Sequence, residues 1–388
     1  MTANIKKLST VCQINPRHAL KEHSKDETVS FIPMAAVSEK TCTIIAEEER
    51  PLIEVETGFT HFLNGDILIA KITPCYENGK CAVAEFSQSL GFGSTEYHVL
   101  RANPKYLDNK YLFHYIKSPQ IKHSGELRMK GSAGQKRVPK EFFEELNIPL
   151  PPLPEQKRIA AILDKAEEIK RKREESLKLA DEFLKSVFVD MFGDPVTNPK
   201  GWERAPLGRL TKIDAPMVDP KKKEYLDLIH IAPNNIEKCT GQLLPAKTAR
   251  EDNLISGKFL FTEKHVLYSK IRPYLRKGAL PDFSGLCSAD MYPIEPIKNV
   301  LTREYLLFIL LSDAFDDYTK TIPGRANIPK INRTELNAYE TIVPDYALQK
   351  DFSKIYRKIK ERREHLANTD FENKLFGSLS QKAFNGDL

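Results

Sequence analysis

The sequence predicts a mixed α+β protein built from two repeats of one domain, joined by two long helices. Three observations support this fold class: an internal repeat along the chain, a stretch of about forty residues without glycine or proline, and short apolar runs bounded by turn residues. We expect the two helices to run antiparallel as an intramolecular coiled coil, with a pseudo-twofold relation between the halves. The chain has 388 residues, enough for two or three domains of roughly 150 residues each.

The internal repeat is a series of matching residues that recur in the same order in both halves. The matched pairs are Leu8 and Leu207, Ile14 and Ile213, Lys71 and Lys270, Ile72 and Ile271, Pro74 and Pro273, Ser94 and Ser288, Tyr111 and Tyr305, Pro139 and Pro329, and Gln156 and Gln349. Loop insertions account for the small changes in offset between pairs. We predict a first domain over 1–150, a central helix over 151–192, a second domain over 193–343 and a distal helix over 344–388.

The central helix is expected from about Pro154 to Phe192. Proline is tolerated at a helix start, and Gly193 followed by Asp194 and Pro195 is a strong stop. At 1.5 Å per residue such a helix is about 55 Å long. A second helix is expected from about residue 345 to residue 384.

Each helix carries a narrow apolar stripe with spacings of three and four residues, which needs a partner stripe in water. We predict that the stripes meet in a seam formed by Ile159, Ile162, Ala166, Ile169, Leu177 and Leu184 on the central helix and by Phe352, Ile355, Ile359, Leu366 and Phe376 on the distal helix. Antiparallel helices would place the two domains at opposite ends of a rod. In the alternative, each helix packs on its own domain.

Each domain has apolar runs that predict strands, over 29–37 and 66–70 in the first half and over 226–236 and 265–269 in the second. A basic, proline-containing turn follows the second run in each half. The candidate contact residues of these turns are Lys71, Thr73, Tyr76, Asn78 and Lys80, and then Lys270, Arg272, Tyr274, Arg276 and Lys277. Cations, amides and aromatics held by a rigid strand suit contacts with DNA phosphates and base edges. The alternative is a solvated, charged turn.

A second pair of segments, rich in glycine and basic residues, lies further along each half. Its candidate contact residues are Ser132, Gln135, Lys136 and Arg137, and then Arg325, Asn327 and Lys330. Gln or Asn can bond adenine and Arg can bond guanine, so two such loops of different sequence suit two different readers. Neutral drift in a surface loop would look the same. The run 221–223 of three lysines reads as a solvated face or, at most, a phosphate contact.

Composition narrows the function classes. The formal net charge is +6, which permits nucleic-acid binding without demanding it. No run of about 18 apolar residues predicts a membrane span, and the first residues do not read as a signal peptide, so we expect a cytoplasmic protein. The six cysteines, Cys12, Cys42, Cys75, Cys81, Cys239 and Cys287, lack paired zinc-ligand spacings, and no metal is expected.

Motifs that would indicate catalysis do not occur. The sequence has no phosphate-binding loop, no glycine-rich dinucleotide turn, no nucleophile elbow and no Asn-Pro-Pro-aromatic run of an amino-methyltransferase. We therefore expect a chain that binds rather than catalyses.

Residues 148–164, Ile-Pro-Leu-Pro-Pro-Leu-Pro-Glu-Gln-Lys-Arg-Ile-Ala-Ala-Ile-Leu-Asp, carry a family resemblance. They resemble the central conserved region of the specificity (S) subunits of type I restriction–modification systems, and 131–140 is similar to the stretch that precedes it. The second copy, 343–349, keeps Pro344 and Gln349 but lacks the glutamate. The resemblance covers essentially the whole chain.

This resemblance implies two target-recognition domains that each read half of an asymmetric, bipartite DNA sequence. It implies two modification (methyltransferase) subunits as partners, restriction subunits in the full complex, and no catalysis by this chain. S-adenosylmethionine, ATP and Mg²⁺ would be bound by those partners. Long helices would also set the distance between half-sites about one DNA turn, roughly 34–36 Å, apart. Two other hypotheses stay open: a chain with its own methyltransferase or nuclease activity, and a coiled-coil adaptor that binds only proteins.

Overall fold

The computed structural model describes residues 4–17, 23–132, 134–322, 329–366, 378–379 and 381–384, with the side chains of 365 and 366 excluded. Two compact units are present. The first comprises Met1–Lys172 and Asn368–Leu388, and the second comprises Arg173–Ala367. Within the described residues, no helix is both long enough and apolar enough to cross a bilayer.

The first unit consists of ten strands and the first four helices, together with the start of a long fifth helix. The strands are β1 Ile5–Lys7, β2 Cys12–Ile14, β3 Thr28–Ile32, β4 Glu48–Pro51, β5 Thr60–Phe62, β6 Ile67–Ala70, β7 Cys81–Val83, β8 Gly91–Gly93, β9 Tyr97–Ala102 and β10 Asn147–Pro149. The helices are α1 Leu52–Val55, α2 Asn109–Lys117, α3 Pro119–Arg128, α4 Lys140–Glu145 and α5 Leu153–Phe192. This count covers the described residues only.

The second unit repeats this order of elements. Its strands are β11 Glu203–Pro206, β12 Thr211–Lys212, β13 Met217–Val218, β14 His230–Ile231, β15 Lys258–Phe261, β16 Val266–Ser269, β17 Gly278–Ala279, β18 Gly285–Cys287, β19 Met291–Pro296 and β20 Glu340–Val343. Its helices, besides the end of α5, are α6 Leu207–Leu210, α7 Arg303–Leu311, α8 Asp313–Thr321, α9 Arg333–Ala338 and α10 Tyr346–Leu366.

Sheet topology confirms the predicted repeat. An antiparallel sheet has the order β2-β9-β6-β7 in the first unit and β12-β19-β16-β17 in the second. In a second sheet of the first unit, β8 pairs in parallel with β3 and antiparallel with β5. In the second unit, β18 pairs in parallel with β14 and antiparallel with β15. The halves differ at its fourth strand, because β4 pairs with β3 whereas β13 pairs with β15.

The strands predicted over 66–70 and 265–269 are confirmed as β6 and β16, and both are wholly buried. The run 29–37 is a strand only at its start, since a 3-10 turn follows at Met34–Ala36. In the run 226–236, only His230–Ile231 is extended in a ladder, and a 3-10 turn follows at Pro233–Asn235. A proline stands before or at the start of each turn and lacks the N–H that a continuing ladder needs.

A buried glutamine fastens each domain to its long helix. The Oε1 atom of Gln156 accepts from the Asp108 N–H at 2.9 Å, and its Nε2 donates to the carbonyl oxygens of Tyr106 and Pro151 at 2.9 and 2.8 Å. In the second unit, Gln349 accepts from the Thr302 N–H at 2.9 Å and donates to two equivalent carbonyls. The predicted equivalence of the two glutamines is thus confirmed in three hydrogen bonds.

The predicted seam is only partly correct in the first unit. Ile159 is buried in the core of the domain, beside Leu163 and Ala383, so this part of α5 packs on its own domain as well as against the distal segment. Ile162 and Ala166 are half-buried. Ile169 is wrong as a seam residue, because 53% of it is exposed. At about 100° per residue it lies about 120° around the helix from Leu163.

In the second unit, α5 and α10 run antiparallel, as predicted. Phe188 and Phe192 of α5 contact Phe352 near the start of α10, whereas Asp181 pairs with Arg363 near its end. Phe352 is fully buried, as predicted, and the buried Phe188 and Phe192 extend the stripe of α5 beyond the predicted seam residue Leu184.

The other predicted seam residues have mixed outcomes. Leu184 is buried, Leu177 is half-buried, and Ile355 and Ile359 pack at the edge of the second core. The Leu366 side chain and Phe376 lie outside the described residues, as does part of the distal helix predicted to reach residue 384.

Candidate nucleic-acid interface

In each unit, the basic turn after the buried strand lies beside the second predicted segment. The Thr73 N–H donates to the Lys136 carbonyl at 2.9 Å, and the Val138 N–H donates to the Lys71 carbonyl at 2.8 Å. In the second unit, the Arg272 N–H donates to the Pro329 carbonyl at 2.8 Å. We call these paired segments, 71–80 with 130–138 and 270–277 with 329–331, the basic loop pairs.

These bonds correct one pairing in the predicted repeat. Ile72 bridges Arg137, and Ile271 bridges Lys330, so residues 137 and 330 are equivalent with an offset of 193. Pro139 therefore matches Asn332, and each is the N-cap of a short helix, α4 or α9. The match of Pro139 to Pro329 is wrong, because the two prolines lie at different distances from the short helix that follows.

A carboxylate holds the equivalent cation in each loop pair. The Arg137 guanidinium binds Glu96, with Nη2 and Oε1 2.8 Å apart, and it holds the pKa of that carboxyl below its usual range. The Lys330 ammonium lies 3.8 Å from Asp290. Ser94 and Ser288, which the repeat had matched, accept from the N–H groups of these acids. The acids were missed because an isolated Glu or Asp carries no pattern, although they share the offset of the serines.

Two predicted contact lysines instead brace the loops from within. The Lys80 ammonium donates to the Met34 carbonyl at 3.2 Å, and the Lys277 ammonium donates to the Pro233 carbonyl at 2.7 Å. Both lysines are half-buried. The bond recurs in the two units, so it stabilises the loops. Asn78 also has a protein partner, because its amide donates to Glu39.

Tyr76 is wrong as a contact residue. Only 5% of it is exposed, and its hydroxyl donates to the Lys122 carbonyl at 3.3 Å in a slot opened by Gly125. A Cβ at that glycine would lie 1.8 Å from the tyrosine oxygen. The turn folds its aromatic ring inward because α3 offers this slot, which the turn's own sequence does not reveal.

Arg276 is likewise engaged by the protein. Its guanidinium binds Asp313 and, at 2.9 Å, Asp316 of α8. It has a left-handed backbone, with φ of 46°. The residue therefore ties the turn to α8 and is a support for the loop rather than a free cation.

The remaining candidates of the first unit are available to a ligand. Ser132, Gln135 and Lys136 are exposed, and within the described residues none of their side chains has a hydrogen-bond partner. Lys71 is half-buried. The Thr73 hydroxyl oxygen is buried without a partner among the described groups. The exposed Lys130, which pairs its backbone with Arg137, joins this surface, although no pattern in the sequence predicts it.

In the second unit, the exposed candidates are Arg272, Tyr274 and Lys330. Tyr274 leaves 51% of its surface exposed at the tip of the turn, whereas its neighbour Pro273 is buried. The Lys270 ammonium lies 5.7 Å from the centre of the Tyr292 ring. Arg325 and Asn327 lie outside the described residues.

Each loop pair thus has a braced base and an exposed set of polar side chains. Cations on a rigid frame bind phosphates, and amides, guanidinium groups and aromatic rings are able to bond or stack on bases. The frame is shared, but the exposed sets differ: a hydroxyl, an amide and two lysines in the first unit, and an arginine, a tyrosine and a lysine in the second. This arrangement suits two nucleic-acid contacts of different specificity.

The chain is similar to known proteins in part of its sequence and in its fold. Residues 2–179 match the model of the type I restriction modification DNA specificity domain. The type I restriction enzyme EcoAI specificity subunit of Escherichia coli is 46% identical over 153 residues, which are 39% of this chain and 26% of that protein. The match therefore spans only about a quarter of that relative's length.

Two solved structures share the fold. A structure described as the basis of complex assembly and conformational transition of the type I restriction–modification system superposes with a TM-score of 0.57 at 18% identity, over 100% of this chain and 98% of the other. The type I restriction–modification S subunit from M. genitalium gives 0.62 at 12% identity, over 98% and 96% of the two chains. Residues 2–179 are thus similar in sequence to the type I restriction modification DNA specificity domain, and the whole chain shares the fold of these two structures.

Proposed function

We propose that this chain is a DNA-recognition subunit that reads an asymmetric target in two parts, one with each basic loop pair. The observation that carries the proposal is the recurrence of one braced frame with two different exposed side-chain sets. A shared frame gives both domains the same way of approaching DNA, because the backbone bonds donated by Thr73 and Arg272 are equivalent. Different exposed residues give them different base preferences.

The internal support of the loops favours sequence reading over loose electrostatic binding. Lys80 and Arg276 fix each turn to the protein, so exposed neighbours are held in place before any DNA arrives. Preorganised contacts lose less conformational entropy on binding and discriminate more sharply between partners.

The proposal includes a division of labour with other subunits. The chain would place two methyltransferase subunits on the target and, in the full complex, the restriction subunits that translocate and cleave DNA. It would catalyse nothing itself, and S-adenosylmethionine, ATP and Mg²⁺ would be bound by those partners. Support comes from the family model that residues 2–179 match and from a structural relative described in terms of complex assembly.

Sequencing of methylated DNA tests the proposal. Cells that carry this chain and its cognate methyltransferase should methylate one gapped motif, and deletion of this chain alone should abolish methylation of that motif. Persistence of the motif after the deletion would contradict the proposal. Methylation of DNA by the purified chain alone would point instead to an enzyme, and failure to bind any DNA even with its partners would point to a protein adaptor.

A further inference from the structure

The contact between each domain and its long helix contains ion pairs whose signs are opposite in the two units. The helix that follows the antiparallel sheet lies against the long helix that carries the buried glutamine: α7 packs on α10 in the second unit, and α2 forms ion pairs with α5 in the first. The glutamines relate α5 to α10 by an offset of 193, and the capped starts of α2 and α7 are related by 194. Equivalent positions can therefore be compared one by one.

In the first unit, the domain supplies the bases and the helix supplies the acids. The carboxylate of Asp164 lies 3.0 Å from the Lys110 ammonium and 2.8 Å from Nε2 of His114. One turn further along α5, the Glu167 carboxylate lies 2.7 Å from the Lys117 ammonium. The His114 side chain is almost completely buried, so these groups lie at the contact and not on the open surface.

In the second unit, the domain supplies the acid and the helix supplies the base. Glu304, the equivalent of Lys110, is 4% exposed, and its carboxylate accepts from Arg357 Nε and from the Ser353 hydroxyl, each at 2.9 Å. Arg357 is the equivalent of Asp164. Lys360, the equivalent of Glu167, is also basic.

The apolar part of the contact changes along with the charges. Phe308 takes the place of His114 and packs on Phe352 and Tyr356 of α10. Leu311 takes the place of Lys117. Each domain face therefore matches its own helix both in charge and in shape.

We propose that these contacts form a sign-coded docking interface, through which each recognition domain accepts the helix segment of its own half and rejects that of the other half. The first domain fits an acidic segment, Asp164 and Glu167. The second fits a basic one, Arg357 and Lys360. None of these residues is among those proposed to contact DNA.

Placing each domain on the helix of the other half would bring unfavourable charges together. The first domain on α10 would bring Lys110 and Lys117 against Arg357 and Lys360, so like charges would meet. The second domain on α5 would leave the buried Glu304 without its donors and beside Asp164. A buried carboxylate that loses its donors is strongly destabilising.

Grafting one code onto the other half tests the proposal in the full chain. A helix graft, Ala160→Ser with Asp164→Arg and Glu167→Lys, presents the α10 code to the first domain. Hydrogen exchange at the amides of α2 should become about tenfold faster or more, because ion pairs are replaced by like-charge contacts. Amides of α7, in the untouched second unit, should keep their rates.

The complementary graft supplies the decisive comparison. Adding Lys110→Glu, His114→Phe and Lys117→Leu to the helix graft gives the first domain the code of the second, and exchange at α2 should return to within about threefold of the parent. A matched control, Glu174→Arg with Glu175→Lys, makes the same change of charge at exposed positions of α5 and should leave α2 unchanged.

Two results would overturn the proposal. One is a helix graft that leaves exchange at α2 unaltered. The other is a combined graft in which the α2 amides exchange as fast as they do in the helix graft alone. If the larger grafts fail to fold, a double-mutant cycle of Lys110→Glu and Asp164→Lys, made singly and together, tests the same proposal. Exchange at α2 that is no slower in the double variant than in the single variants would also refute the code.

Discussion

Replacement of Gln156 by leucine should lower the stability of the first unit markedly, because this side chain makes three buried hydrogen bonds. The change removes the acceptor for the Asp108 N–H and the donor for the Tyr106 and Pro151 carbonyls. Leucine keeps a similar volume, so the loss is mainly of polar partners. Each buried group left unsatisfied costs about 1–3 kcal/mol, and the costs are not additive.

We therefore expect a loss of about 3 kcal/mol in the free energy of unfolding of the first unit. For a unit of 150–250 residues this corresponds to a fall of about 6–12 °C in the unfolding temperature. Hydrogen exchange in α2 and at the start of α5 assigns the loss to this unit. Gln349→Leu should have the same effect on α7 and α10, because its three bonds are equivalent.

Two variants separate hydrogen bonding from bulk. Gln156→Glu keeps the acceptor for Asp108 but faces two carbonyl oxygens, so it should also destabilise at neutral pH and should recover partly when acid protonates it. Gln120→Leu, at an exposed position of α3, should change the stability by less than about 0.5 kcal/mol. A loss below about 1 kcal/mol for Gln156→Leu would refute the assignment of this residue as the main polar link between domain and helix.

Three further outcomes follow from the loops and their supports. Arg272→Ala should weaken DNA binding by the assembled complex without lowering the unfolding temperature. If Arg272 contacts one phosphate, the variant should also reduce the slope of log K against log salt by about 0.9. An unchanged affinity and slope would exclude a contact. Gly125→Ala should cost about 1–3 kcal/mol, measured by urea unfolding, because the new methyl group meets the Tyr76 ring, and an unaffected midpoint would contradict the packing. Glu96→Gln should destabilise at neutral pH but not in acid, because the Arg137 guanidinium lowers the pKa of Glu96 in the folded chain. The stabilisation by this carboxylate is therefore present above the ordinary pKa of 4.5 and is lost as the pH falls through the lower folded value. A difference in unfolding free energy that does not depend on pH would rule this out.

The sequence predicts those parts of the fold whose causes are local or repeated. The buried strands β6 and β16, the stop of α5 at Phe192 and the equivalence of Gln156 and Gln349 follow from apolar runs, helix-ending residues and collinear matches. Such signals lie within a few residues of the feature they predict or recur at a constant offset. These features can therefore be predicted without knowledge of the tertiary contacts.

Residue roles within the loops could not be predicted in this way. Tyr76 is buried because Gly125, on a helix about fifty residues away, leaves space for it. Lys80 is engaged because a carbonyl of a 3-10 turn points toward it. A charged or aromatic residue in a turn has the same sequence pattern whether it faces solvent or the protein, so only the tertiary contacts separate supports from free contact residues.

The most direct test of the central claim is an exchange of one recognition domain. Residues 1–150 would be replaced by the corresponding domain of a relative with a different target, and methylated DNA would be sequenced from cells that also carry the methyltransferase. One half of the gapped motif should change, while the other half stays the same. A motif altered in both halves, or unaltered in either, would contradict the assignment of one half-target to each domain.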